Sequence, residues 1–227
     1  MNTRMLDAGL VSLALLGGVI ACERGSPPSA PATSRVSGSA EQVLTADREG
    51  IRGGESEGDQ RVRWDIISVD FATGTLSAGG IASGQANDGS KITLTGSGTF
   101  HTGHQRPVTG GGTWETFDAA GASTATGTYT VTGLVRFDVA PGTPPLPHDD
   151  IGPVANSRAG LAILRISYSD GTGGALVVSC HLVGSPNTIV EGVTASKGFV
   201  GFLQELPPAP PGNANRTTFH ILTDEED

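Results

Sequence analysis

Apolar residues recur at every second position in several short stretches of the chain. In the stretch 127–139, four apolar side chains share one face: Tyr129, Val131, Val135 and Phe137. Threonines and charged residues occupy the opposite face. This two-residue period is typical of a β-strand with one buried side. We predict a strand over this stretch, with a bend at Gly133 because glycine inside a strand marks a bulge or corner.

The same alternation, together with turn residues, predicts further strands. Residues 111–118 should pair antiparallel with the strand above, since small turn-forming residues separate the two. Residues 160–169 and 174–183 should form a second hairpin around a glycine-rich turn. Residues 61–71 change phase midway, which indicates a bulge or a strand buried on both sides. The weaker strand predictions are a pair within 73–85 and single strands within 90–100, 188–193 and 217–222.

Two segments break this pattern. Phe199, Val200, Phe202 and Leu203 have a spacing that suits one short amphipathic helix within 197–206. Residues 140–159 form a long loop that contains five prolines. Loops of this length in compact domains are often functional or disordered.

Eight or nine strands in one domain favour a closed antiparallel barrel, because closure removes exposed strand edges. We therefore predict an all-β fold with a single antiparallel barrel-like domain over residues 61–222. The Gly-Thr-Trp and Gly-Thr-Tyr elements at 112–114 and 127–129 resemble avidin-like and lipocalin-like barrels. The glycine-rich alternation resembles the barrel of allene oxide cyclase and dirigent proteins. These resemblances imply an architecture and no function.

The N-terminus carries an export signal in our interpretation. Residues 1–21 combine a slightly positive start with an apolar run too short to span a bilayer, which fits a signal peptide. Val19-Ile20-Ala21-Cys22 resembles the bacterial lipobox, which implies cleavage before Cys22 and acylation of this cysteine. The alternative is an ordinary secretory signal with an unrelated cysteine. Two or more acyl chains would anchor the protein durably.

The composition predicts how the rest of the chain is organised. Residues 22–60 would be the lipidated cysteine and a disordered tether, since this stretch has almost no large apolar residues. Residues 223–227 would be an acidic tail. We expect the domain outside the cytoplasm, on the periplasmic face of a membrane or at the cell surface. The net charge of −9 argues against nucleic acid as a partner. We expect no cofactor, because no phosphate-binding, dinucleotide or zinc motif is present.

Candidate site residues follow from strand faces and residue chemistry. Six residues could line a pocket: Trp64, Trp114, Glu115, Tyr129, Arg136 and His181. The carboxylates that could serve acid–base chemistry are Asp65, Asp70, Glu115, Asp138 and Glu191, with Arg136 or Arg165 as a partner. His101 and His104 are weak metal candidates that His148, Asp149 and Asp150 could complete. Cys180 and His181 cannot act together, because neighbours on a strand face opposite sides.

Three segments of the domain resemble those of a family of uncharacterised exported bacterial proteins: 111–117, 177–182 and 191–199. The resemblance implies a shared fold and carries over no activity, cofactor or catalytic residue. Three functions stay open: a lipoprotein that binds a small molecule or a protein, a barrel-type isomerase or cyclase with a buried carboxylate, and a structural or assembly lipoprotein. A large pocket would favour the first two. A carboxylate with a raised pKa would favour the enzyme, and a filled barrel would favour the structural protein.

Overall fold

The computed structural model describes residues 59–103, 107–209 and 214–223, and the regular secondary structure of these residues is almost entirely β-strand. The strands are β1 (Arg61–Asp70), β2 (Thr75–Ala78), β3 (Ala82–Gln85), β4 (Lys91–Leu94), β5 (Ser97–His101), β6 (Gly111–Phe117), β7 (Ser123–Ala140), β8 (His148–Asp149), β9 (Ser157–Tyr168), β10 (Gly173–Cys180), β11 (Gly192–Lys197), β12 (Val200–Phe202), β13 (Gln204–Glu205) and β14 (Arg216–Leu222). One short 3-10 helix spans Val154–Asn156. The predicted all-β, barrel-like domain is confirmed.

Six antiparallel strands close into a barrel in the order β1, β5, β6, β7, β9 and β14. The long strands β7 and β9 provide the most extensive pairing, from Tyr129 opposite Tyr168 to Ala140 opposite Ala159. β1 pairs with β14 on one side, and with β5 and β2 on the other. A second set of strands, β10 to β13 with β3 and β4, extends the sheet from β9 and from β6.

Side chains fill the barrel. One continuous apolar cluster runs through it and includes aromatic residues from several strands: Trp64, Phe100, Trp114, Tyr129, Tyr168, Phe202 and Phe219. The rings of Phe100 and Phe219 both lie 5.0 Å from the ring of Phe137. Burial of such large apolar side chains is the main stabilising contribution to the fold.

The strongest sequence patterns are confirmed. β6 pairs antiparallel with β7, and β9 pairs antiparallel with β10. The phase change in β1 reflects a strand buried on both sides, since Trp64 and Ile66 face the core while Ile67 lies beneath other elements. The register of β7 shifts on passing Gly133, as predicted for this position.

Four expectations are wrong. No helix forms within 197–206; Gly198, with φ of 57°, and Phe199 form a two-residue turn between β11 and β12. Val135 is 48% exposed because two register shifts in β7 move the alternation of its side chains. The strands within 73–85 do not pair with each other, since β2 joins β1 and β3 joins β4. The strand expected at 188–193 begins only at its end, with β11.

Cys22, the segments 1–21 and 22–58 and the end of the acidic tail lie outside the described residues. Within the part of the chain that the structure covers, no helix is long and apolar enough to cross a membrane.

Candidate functional site

The proline-rich loop, residues 141–156 between β7 and β9, lies on the outer wall of the barrel, across β1, β14 and the start of β9. Backbone bonds fasten it at both ends: Thr143 N–H donates to Val183 at 2.9 Å, and Asp150 N–H donates to Leu76 at 2.9 Å. The hydroxyl of Ser77 adds a bond to the Asp150 carboxylate at 2.8 Å. The loop is therefore an ordered cover over this part of the wall.

A small recess of about 50 Å³ lies between the loop and the wall. We call it the proline-loop recess. Its apolar side comes from Ile67, Leu76, Pro144, Pro145, Leu146, Val154 and Leu182. Its polar side comes from His148, Asp149, Ser157, His181, Glu191, Arg216, Thr217 and Thr218. The recess thus combines apolar walls with a concentration of titratable groups.

Glu191 is the most perturbed of these groups. It precedes β11, and its two carboxylate oxygens accept the backbone N–H groups of His181 at 2.5 Å and Thr217 at 2.7 Å. Burial raises the pKa of Glu191 to about 7, although these two bonds and the charge of Arg216 lower it. The carboxyl group therefore changes its charge near neutral pH.

His181 contributes a ring of defined tautomer. Its Nδ1 lies 2.8 Å from the carbonyl oxygen of Ile189. Because a carbonyl oxygen only accepts hydrogen bonds, Nδ1 carries the proton, and Nε2 is left as an acceptor when the ring is neutral. Arg216 brings a guanidinium group, which lies over the ring of Phe71 at 5.2 Å.

A second polar group, formed by Asp149, Ser157 and His220, joins the loop to the barrel. His220 Nε2 lies 2.8 Å from Asp149 Oδ2 and 3.0 Å from Ser157 Oγ. The Ser157 hydroxyl also donates to Asp149 at 3.3 Å. Burial raises the pKa of Asp149, but the bond from His220 and the backbone N–H groups outweigh burial, and the pKa lies below its usual value.

These three residues have the composition of a catalytic triad but not its geometry. In a triad, the serine and the aspartate contact different nitrogens of the histidine, so that one nitrogen can accept the serine proton. Here both contact Nε2 of His220, while the buried Nδ1 has no hydrogen-bond partner among the described residues. Ser157 is only 5% exposed. The cluster therefore fastens the loop and does not activate a nucleophile.

Asp65 and Arg63 extend the polar wall beside His220. Arg63 Nε and Nη2 donate to the two carboxylate oxygens of Asp65 at 2.8 and 2.9 Å. Burial raises the pKa of Asp65, although the hydrogen bonds and the charge of Arg63 lower it. Two carboxylic acids with raised pKa values, Asp65 and Glu191, thus lie on the outer wall.

Three of the six predicted pocket residues belong to the core. Trp64 is fully buried, Trp114 Nε1 donates to the carbonyl of Thr128 at 3.0 Å, and the Tyr129 hydroxyl donates to the carbonyl of Thr95 at 2.8 Å. Their side chains fill the barrel and line none of the recess.

The other three lie apart from one another. Glu115 follows Trp114 on β6 and faces the opposite side of the strand, beside Thr126 in the register. Arg136 is exposed and donates to Asp138 at 2.5 and 2.9 Å. His181 alone lies in the recess. The six residues do not line one common pocket, because three lie in the core and only His181 of the other three borders the recess.

The histidine and cysteine candidates are also separated. His101 Nδ1 lies 3.6 Å from Asp59, and His104 is outside the described residues. No group of three or more possible metal ligands occurs in the described part of the chain. Cys180 is buried in the apolar cluster, and burial raises the pKa of its thiol, as expected for an inert cysteine.

Sequence reasoning missed His220, Ser157 and Arg216. His220 and Arg216 lie on β14, where the alternation that predicts the strand also places them on its outer face. No local signal shows that a loop about 70 residues earlier covers this face and brings Asp149 to His220.

Comparison of the chain with protein-family models, with curated proteins and with solved structures finds no match.

Proposed function

We propose that the protein is a lipid-anchored protein of the bacterial cell envelope that binds a partner protein at the proline-loop recess. The observation that carries this proposal is the placement of polar groups. Side chains fill the barrel, while the outer wall holds a recess that combines apolar residues with Glu191, His181 and Arg216.

The size of the recess favours a protein partner over a metabolite. Pockets for small molecules usually measure about 300–1,000 Å³, whereas this recess measures about 50 Å³. It can accept one side chain of a partner, with an apolar stem against Leu76 and Leu146 and a polar end toward Glu191. Anchoring through Cys22 would hold the domain close to other envelope proteins.

Anchoring is tested by cell fractionation. Cys22→Ala should move the protein from the membrane fraction to the soluble fraction, since it removes the acylation site. Cys180→Ala is the matched control, because it removes the other cysteine and leaves the lipobox intact. Membrane retention of Cys22→Ala would contradict anchoring through this residue.

Binding at the recess is tested by photo-cross-linking in cells. A photoreactive amino acid at the exposed rim position Pro145 should give one discrete adduct with another envelope protein. The same amino acid at Thr126, on the exposed face of β7, should give none. A small molecule that copurifies with the whole Cys22→Ala chain in native mass spectrometry would contradict a protein as the ligand.

Acid–base catalysis by Glu191 is a second candidate, and its pKa of about 7 is the observation that favours it. An enzyme of this kind would exchange a substrate proton with deuterated water. Exchange detected by NMR in a panel of carbonyl compounds, and lost in Glu191→Gln, would favour this candidate over partner binding. No exchange is expected if Glu191 serves binding only.

A further inference from the structure

The C-terminal part of β7 presents an unpaired edge among the described residues. β6 pairs with β7 over Ser123–Thr130, and one further backbone bond joins Val131 N–H to the carbonyl of Gly110, while β9 pairs with the other edge as far as Ala140. The last register shift lies between Leu134 and Arg136, and the ladder with β9 is regular from Arg136 onward. An unpaired edge of this kind offers backbone N–H and C=O groups to another strand.

The side chains along this edge are exposed and include apolar ones. Val135 is 48% exposed and Val139 is 46% exposed, and both belong to the same short segment. Arg136 and Asp138 between them are also exposed and form an ion pair within the strand. Among the described residues, surface grooves of about 930 and 410 Å³ border the segment.

The order of these residues is self-complementary. In an antiparallel pair with a two-fold axis at Phe137, Arg136 of one copy lies opposite Asp138 of the other. Val135 then lies opposite Val139 of the second copy. Opposite charges and apolar residues that face each other across two strands stabilise an antiparallel pair.

We propose that a second copy of this chain pairs with the edge Val135–Val139, so that β7 of two molecules forms a continuous antiparallel sheet. The complementary charges favour a second copy as the occupant. Each positively charged Arg136 then lies between two negatively charged carboxylates, Asp138 of its own chain and Asp138 of the second copy. Phe137, at the axis, keeps its contacts with Phe100 and Phe219 inside its own barrel.

Charge reversal tests this pairing by analytical ultracentrifugation of the whole chain carrying Cys22→Ala. The parent chain should dimerise. Arg136→Asp makes the edge acidic and Asp138→Arg makes it basic, and each should weaken self-association on the order of tenfold or more. An equimolar mixture of the two variants should form a mixed dimer, because acidic and basic edges then face each other.

Two further variants complete the test. The double variant Arg136→Asp with Asp138→Arg restores complementary charges within one chain and should dimerise like the parent. Glu115→Arg, on a strand paired at both edges, should also dimerise like the parent. The exposed ion pair contributes little to folding, so all variants should unfold at similar temperatures. A monomeric parent, single variants that dimerise unchanged, or a mixture that stays monomeric would each overturn the proposal.

Discussion

Replacement of Glu191 by glutamine should change how the stability of the protein depends on pH. The pKa of Glu191 is about 7 in the folded protein, compared with 4.5 for an unperturbed glutamate. The folded state therefore binds more protons than the unfolded state between these two values. The contribution of the raised pKa of Glu191 to the stability of the folded protein is complete below about pH 4.5 and is lost as the pH rises through 7.

The size of the effect follows from the difference between the two pKa values. Between about pH 5 and pH 8, the free energy of unfolding should fall by about 2.5 kcal/mol through Glu191 alone. Glutamine has nearly the same shape and cannot titrate, so Glu191→Gln should lack this decrease. It should also show a loss at every pH, because its amide nitrogen faces one of the two backbone N–H groups.

Urea unfolding at a series of pH values measures this effect, with the fluorescence of Trp64 and Trp114 as the signal. The quantity to plot is the difference in the free energy of unfolding between the parent and Glu191→Gln. Asp170→Asn is the control: hydrogen bonds from Lys197 and Thr172 lower the pKa of Asp170 to about 2, so its difference should be constant from pH 5 to 8. A constant difference for Glu191→Gln, or one that increases with pH, would refute the reasoning.

Three further predictions concern the fold and the serine cluster. Gly80→Ala should destabilise the protein by about 2–4 kcal/mol in urea unfolding, because an added Cβ would lie 1.9 Å from a backbone oxygen of β1. Gly173→Ala is the control: no atom lies within 4 Å of an added Cβ there, so stability should change by less than about 1 kcal/mol. Phe202→Ala should lower the free energy of unfolding by about 3–5 kcal/mol, whereas Phe199→Ala should be nearly neutral because this side chain is fully exposed. Equal losses of stability in the two variants would indicate that the two side chains share a buried face. A fluorophosphonate probe should leave Ser157 unlabelled in mass spectrometry, and labelling would show that this serine is activated.

The parts of the fold that could be predicted from sequence are those governed by local alternation. The β9–β10 hairpin has a regular period and a glycine-rich turn, and both its strands and its pairing were predicted correctly. The sequence-based prediction fails where the same spacing of apolar residues fits both a helix and a pair of strands. The spacing of Phe199, Phe202 and Leu203 fits a helical face, but Gly198 permits a tight turn that places Phe202 inside and the other two outside.

The candidate site was predictable only in fragments. The sequence indicates Glu191 as a carboxylate that could point into the barrel, and His181 as a residue on the face opposite Cys180. Their real environment depends on the proline loop, whose Asp149 reaches His220 across 71 positions of sequence. Alternation identifies the outer face of a strand but gives no information about which loop covers it.

The proline-loop recess lies on the outer wall, and both the loop and the barrel strands contribute to it. Asp149 belongs to the loop, whereas Glu191 is bonded to the backbone at His181 and Thr217, so the two sides of the recess are fixed by different elements. Asp149 has a lowered pKa and stays charged at neutral pH, while Glu191 titrates there. A change of pH around 7 therefore alters the charge inside the recess without releasing the bond that fastens the loop. A partner that donates a proton or a hydrogen bond to Glu191 would bind to a preformed surface, and its affinity would follow the charge of this single residue.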